Sequence, residues 1–247
     1  MNPEKHLKPM TEDILSKMSP KDAFTRLVEG NDRFLSKVKG NLPDPEGVRN
    51  YRNFIDTTSG EGQFPFAAIL SCMDSRMPTE TLFDQFIGDV FNIRIAGNFV
   101  NQDILGGMEF ACTSGVKLIL VLGHDQCGAI VGAARSVHPL CFKQNYVLES
   151  DEDNLTPMLE NLIPAVKSTS FNLPEGVSCQ DEEWQSRFID RVAKTNVDLT
   201  INNIRLRSKV IRELHDQGKI DIQGATYNIS DGKVTFFSHD RANIMDA

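Results

Sequence analysis

The chain has 247 residues, 40% hydrophobic and 24% charged, ordinary proportions for a globular protein with a sizeable core. A formal net charge of −8 argues against nucleic acid or an anionic membrane as principal partner, and no apolar run reaches the length of a membrane span. The first residues lack the apolar stretch of a secretory signal, and five scattered cysteines make no disulfide framework, so a reducing, cytoplasmic setting is expected, with Cys112, Cys141 and Cys179 as plain thiols.

The first clear element is a helix starting at Ser19-Pro20. Serine suits the N-cap, proline the first helical position, and Phe24, Leu27, Val28, Phe34 and Leu35 follow at helical spacing. Residues 40–63, rich in Gly and Pro, read as a long connection. A strand over 66–71, a helix near 78–86 and a strand over 89–95 come next, followed by a turn at Gly97-Asn98. A helix over 106–114, a strand over 116–122 and a short helix over 128–136 complete the middle of the chain. Residues 138–186 read as loops around a helix near 157–167, and their acidic run at 149–153 as a solvated face. One long amphipathic helix is expected over 187–217, with Gly218 closing it, and then two strands, 220–229 and 234–237, around an Asp-Gly turn. Alternating strands and helices predict an α/β fold: a mainly parallel central sheet flanked by helices, with an N-terminal helical arm. The whole chain, 1–247, is expected to be one domain, with 1–40 as the arm and 138–186 as an insertion.

Chemistry gathers at two strand ends. The apolar run 66–71 stops at Cys72, Asp74 and Arg76, and the branched run 116–122 stops at Gly123-His124-Asp125-Gln126-Cys127-Gly128. In such sheets ligands sit beyond the carboxyl ends of the strands. Two thiolates and an imidazole brought together there suit zinc, and a fourth position left open makes such a site catalytic. Taken singly these residues are weak signals. A lone buried Cys is commonly a small hydrophobe, Asp74 and Arg76 make an ordinary ion pair, and His124 with Cys127 also fits a nucleophilic dyad. His6, His138, His215 and His239 have no such context and are assigned no role.

Together, Cys72-x-Asp74-x-Arg76 and His124-x-x-Cys127-Gly128 resemble the β-class carbonic anhydrases. Residues 83–98, 105–110, 23–34 and 224–229 are similar to that family's flanking segments, and the likeness spans roughly 20–240 apart from the loops at 40–60 and 138–186. The resemblance implies reversible hydration of CO2 to bicarbonate and a proton by zinc-bound hydroxide. It implies one Zn2+ per subunit held by Cys72, His124 and Cys127, with Asp74 paired to Arg76 or, in a closed state, bound to the metal. It further implies that Gln63 enters from a neighbouring subunit, that Gly128 offers a backbone N–H, and that Phe91 and Ala96 form an apolar substrate wall. A homodimer or homotetramer with the site at the interface is therefore expected. The chain resembles the group lacking the Trp of a bicarbonate pocket: Arg94 and Tyr227 match that pocket, while Ile69 stands where the indole would be. Phe110 stands where many members have Tyr. Two other readings remain: CS2 or COS hydrolysis on the same scaffold, and a closed structural zinc module with Asp74 as fourth ligand.

Overall fold

The computed structural model describes residues 9–39, 51–142 and 154–237. Helix α1 (Glu12–Ser16) and helix α2 (Pro20–Val38) precede helix α3 (Tyr51–Glu61). Strand β1 (Ala67–Ser71), helix α4 (Thr79–Leu82), strand β2 (Val90–Arg94), helix α5 (Gln102–Thr113), strand β3 (Leu118–His124) and helix α6 (Gly128–Val137) follow. Helices α7 (Leu155–Glu160), α8 (Ile163–Ser168), α9 (Glu182–Arg207) and α10 (Lys209–Asp216) lead to strands β4 (Asp221–Tyr227) and β5 (Val234–Phe236). The strands form one sheet in the order β2-β1-β3-β4-β5, parallel except for β5, which runs antiparallel to β4. The expected α/β class, parallel sheet and N-terminal helices are all present.

β1 and β3 are buried along their whole length because both faces of the sheet are covered. Their side chains alternate between two cores. Ala67, Ile69, Leu118, Leu120 and Leu122 face Leu15, Ala23 and Leu27 of α1 and α2. Ala68, Leu70, Ile119 and Val121 face Leu105 and Met108 of α5 together with Val197, Ile201 and Ile204 of α9. α2 begins with Ser19 as its N-cap, as expected, and Asp22 completes a capping box, each side chain bonding the other's backbone N–H. It approaches the 82–85 segment so closely that a Cβ on Gly30 would lie 1.9 Å from the Phe83 carbonyl oxygen. Beside it, the buried Asn31 donates to the carbonyls of Leu82 and Gly232 and accepts from the Val234 N–H.

Several expectations need correction. The helix placed near 78–86 is a single turn, α4, because the chain enters the left-handed region at Asp84 (φ 49), whose carboxylate is held by Arg33 and Lys37 at 2.6 and 2.7 Å. The connection over 40–63 contains α3, and residues 40–50 lie outside the described residues. The helix near 157–167 is two short helices. The acidic run 149–153 and the histidines His6 and His239 also lie outside the described residues. The long helix over 187–217 starts at Glu182 and breaks at Ser208 (φ −107, ψ 109). There the hydroxyl donates to Glu109 on α5 at 2.6 Å and accepts from the Ile211 N–H, so one residue ends α9 and caps α10. Cys141 and Cys179 are not plain thiols: they form a disulfide joining the segment after α6 to the segment before α9. An odd total hid this pair, since only the folded chain brings together two cysteines 38 residues apart.

Two predictions follow from these contacts. Closing a loop of this length, 38 residues, stabilises by about 4 kcal/mol on chain-entropy grounds. The Cys141→Ser/Cys179→Ser variant should therefore melt roughly 8–16 °C below the oxidised wild type in calorimetry. Identical melting of oxidised and reduced wild type would show that the bond contributes nothing. Asp89, fully buried, lies 3.5 Å from Arg26 Nη2 and accepts the Phe86 N–H, and burial pushes its pKa up to about 6. A raised carboxyl pKa gives stability that is present below the unfolded value near 3.9 and lost as pH rises through about 6. Urea unfolding at pH 5 and pH 8 should show wild type losing about 1–1.5 kcal/mol relative to Asp89→Asn, the rest of the loss being complete below pH 5. A pH-independent difference would overturn the assignment.

Candidate metal centre and active site

β1 and β3 are neighbours in register, Ser71 opposite Leu122, so the residues that follow them emerge on the same edge of the sheet. Cys72 is the first residue past β1 and His124 is the last of β3. After His124 the chain is pinned: the Asp125 N–H donates to the Tyr227 carbonyl, and the Asp125 carboxylate accepts the Ile229 N–H at 2.9 Å. Gln126 then adopts a left-handed conformation (φ 52), turning the backbone so that Cys127 becomes the N-cap of α6. Asp190 on α9 is close to this turn, and its pKa is raised by burial and by the Asp125 charge.

The outcome is a compact cluster. One ligand atom each from Cys72, His124 and Cys127 lies within 4.8 Å of the others, and all three residues are buried. The two sulfurs are 4.0 Å apart. His124 Nδ1 faces the Asp125 carbonyl at 2.7 Å, which leaves Nε2 as the free ring atom, and that atom is buried with no hydrogen-bond partner. These features fit zinc. Two Zn–S bonds of ~2.3 Å at a tetrahedral angle span ~3.8 Å, close to the separation seen, and an orphaned imidazole nitrogen beside two thiols is a ligand atom in want of an acceptor. The backbone carbonyl on Nδ1 fixes the tautomer that presents Nε2.

The electrostatics agree. The hydrogen bond with the Cys127 thiol draws the Cys72 pKa well down, against the opposing effect of burial and with help from His124 and the Gly97 N–H. The same pairing and burial push Cys127 up. Burial presses the His124 pKa downward, but the Cys72 thiolate more than offsets it, so the net shift is upward. The pair thus competes for a single proton, and a divalent cation would relieve both sulfurs of it.

Asp74 and Arg76 stand at the rim. The guanidinium grips both carboxylate oxygens, Nε to Oδ1 at 2.9 Å and Nη2 to Oδ2 at 2.7 Å, and the Arg76 N–H adds a third bond at 2.9 Å. Arg76 thereby holds the Asp74 carboxyl well below the usual carboxylate range. Arg94 supports the loop from beneath, donating to the carbonyls of Cys72 and Asp74. Gly128 opens α6 beside Cys127, is exposed, and has no atom within 4 Å of where a Cβ would stand.

Other expected residues are not gathered by this chain. Gln63 lies exposed two residues beyond α3, and among the described residues no hydrogen bond links it to the cluster. Phe91 packs with the α5 core, 6.1 Å from Phe110 between ring centroids, while Ala96 is half-buried just past β2. Ile69 is fully buried, in the same core as Tyr227. Reading the sequence missed Gly97, whose N–H donates to Cys72 Sγ at 3.3 Å. The Gly97-Asn98 dipeptide signalled a turn, but nothing local in it said that the turn faces a sulfur.

Comparison with known proteins agrees with this geometry. The family model for carbonic anhydrase matches residues 67–234. Carbonic anhydrase 2 of Mycobacterium tuberculosis is 32% identical over 222 residues, covering 90% of this chain and 94% of that protein. The carbonic anhydrase of Mycolicibacterium smegmatis is 29% identical over 222 residues, covering 90% of this chain and 95% of that one. Among solved structures, a tetrameric β-carbonic anhydrase of Sordaria macrospora superposes with a TM-score of 0.61 at 22% identity, covering 88% of this chain and 98% of that one, a likeness of fold. Family match, relatives and fold together place the chain in the β-carbonic anhydrase family.

Proposed function

We propose that the protein is a zinc-dependent carbonic anhydrase that interconverts CO2 and water with bicarbonate and a proton. The observation that carries this reading is the buried Cys72–His124–Cys127 cluster with the unpartnered His124 Nε2. Zinc held there would supply the Lewis acidity by which water yields a nucleophile near neutral pH. The chain's own groups do the rest. Asp74 keeps spare lone pairs beside those that Arg76 occupies, and one of them accepts the proton of the attacking hydroxyl group, so that its oxygen lone pair faces carbon. Arg76 keeps the carboxylate ionised and aimed. The Gly128 N–H, at the positive end of α6, faces the charge that develops on the CO2 oxygens.

Gln63 is assigned the same task from the neighbouring subunit, with Phe91 and Ala96 as the apolar wall. The exposed position of Gln63, away from its own cluster, supports a site completed across a homodimer or a larger homo-oligomer. We read the whole chain as one domain, with 1–40 as its arm and 138–186 as an insertion. With both Asp74 oxygens held by Arg76, the carboxylate is not poised as a permanent fourth ligand, which argues against a closed structural module. Ile69 offers no donor beside Arg94, and Arg94 already bonds two carbonyls, which disfavours a bicarbonate-filled pocket driving Asp74 onto the metal. Among the described residues no helix is long and apolar enough to cross a membrane.

Two predictions test the proposal. Wild type should carry one zinc per chain by elemental analysis and hydrate CO2 in stopped flow, whereas His124→Ala should lose both. Full zinc occupancy in that variant, or a zinc-loaded wild type without CO2 turnover, would sink the reading. Subunit mixing tests the shared site. Inactive Gln63→Ala and His124→Ala chains, refolded together, should recover up to about a quarter to a half of wild-type activity, because some sites then receive both intact halves. Verified mixed oligomers that stay inactive would place Gln63 elsewhere.

A further inference from the structure

Gly97 touches the metal centre through its N–H, on the Cys72 sulfur at 3.3 Å. It lies in the left-handed region (φ +79), and a Cβ there would meet Leu162 Cδ1 at 2.6 Å, so only glycine fits. Without a side chain of its own, this peptide takes its orientation from its neighbours. Its carbonyl is held by Asn196, whose Nδ2 donates to it at 2.8 Å. One helical turn on, the Thr200 hydroxyl donates to the Asn98 carbonyl at 3.4 Å. Asn196 is 3% exposed and lies on the buried face of α9 beside Val192, Ala193 and Val197. A carboxamide there forgoes apolar burial and helix propensity relative to leucine, and it is tolerated only with its hydrogen bonds made.

We propose that Asn196 is a positioning residue for the metal centre, fixing the Gly97 turn so that its N–H stays aimed at the Cys72 sulfur. The inference rests on reading Cys72, His124 and Cys127 as metal ligands. An N–H bonded to a thiolate withdraws charge from the sulfur and restrains its direction, and partners one layer outside the ligands typically govern metal affinity by about 10–100-fold. A purely structural Asn196 would affect melting while leaving the metal's surroundings unchanged once the protein is folded.

The test uses the full-length protein loaded with zinc and, separately, with cobalt(II). Zinc release to a chromogenic chelator and the thiolate-to-cobalt charge-transfer band are compared among wild type, Asn196→Leu and Asn203→Ala, the last an exposed site on the same helix. Asn196→Leu should release zinc about tenfold faster or more and shift the band, with Asn203→Ala matching wild type. If Asn196→Leu does not fold, Asn196→Ser is measured in the same way. A folded Asn196 variant with wild-type release and an unshifted band overturns the inference while leaving the metal reading intact. Wild type that takes up neither metal overturns both.

Discussion

The parallel pairing of β1 with β3 is the constraint on which everything else depends. Because Ser71 lies opposite Leu122, both chains leave the sheet at the same place, and two thiols and an imidazole are forced into one dry spot. Polar groups buried without partners cost several kcal/mol, so such an arrangement persists only if something satisfies it. The Gly97 N–H, the Asp125 carbonyl and the α6 N-terminus each satisfy part of it. The unpartnered His124 Nε2 is the remainder, and it is the atom that the proposed zinc would engage.

The helices around the cluster divide the labour. α6 begins at Gly128 with Cys127 as its N-cap, so the proposed ligand and the proposed substrate-facing N–H would move as one rigid piece. α9 lies against the Gly97 turn and holds it through Asn196. Arg94, on the edge strand, performs the same service for the Cys72–Asp74 backbone. Rigid elements thus set the positions of groups that sit on loops, the arrangement a preformed catalytic site requires.

Much of this was legible in the sequence, and for identifiable reasons. Buried parallel strands advertise themselves as unbroken apolar runs, so β1 and β3 and the chemistry at their ends stood out. Ser19-Pro20 announced α2 because caps are local. What escaped was non-local. Ser208 breaks a helix whose apolar spacing continues through it, because its hydroxyl finds Glu109 from 99 residues away. α3 lay hidden in a stretch whose glycines and prolines suggested a connection. The Cys141–Cys179 bond and the reach of Asn196 to Gly97 exist only once the chain has closed on itself. Gln63 is the converse: a short-range motif suggested a role that one chain by itself does not complete.

The strand order also sets a timetable. β1, β2 and β3 are consecutive in the chain, so Cys72, His124 and Cys127 have all been synthesised by the time α6 begins, whereas α9 starts at Glu182, 55 residues after Cys127. At ~5–20 residues per second, roughly 3–11 s of elongation separate Cys127 from the start of the helix that holds the Gly97 turn, before any allowance for the ribosomal tunnel. During that interval two thiols and an imidazole are present on a growing chain with the Gly97 turn not yet fastened from behind. Metal captured then would act as the nascent protein's own template, while oxidation at the same moment would join Cys72 to Cys127 and close the site before it had ever worked.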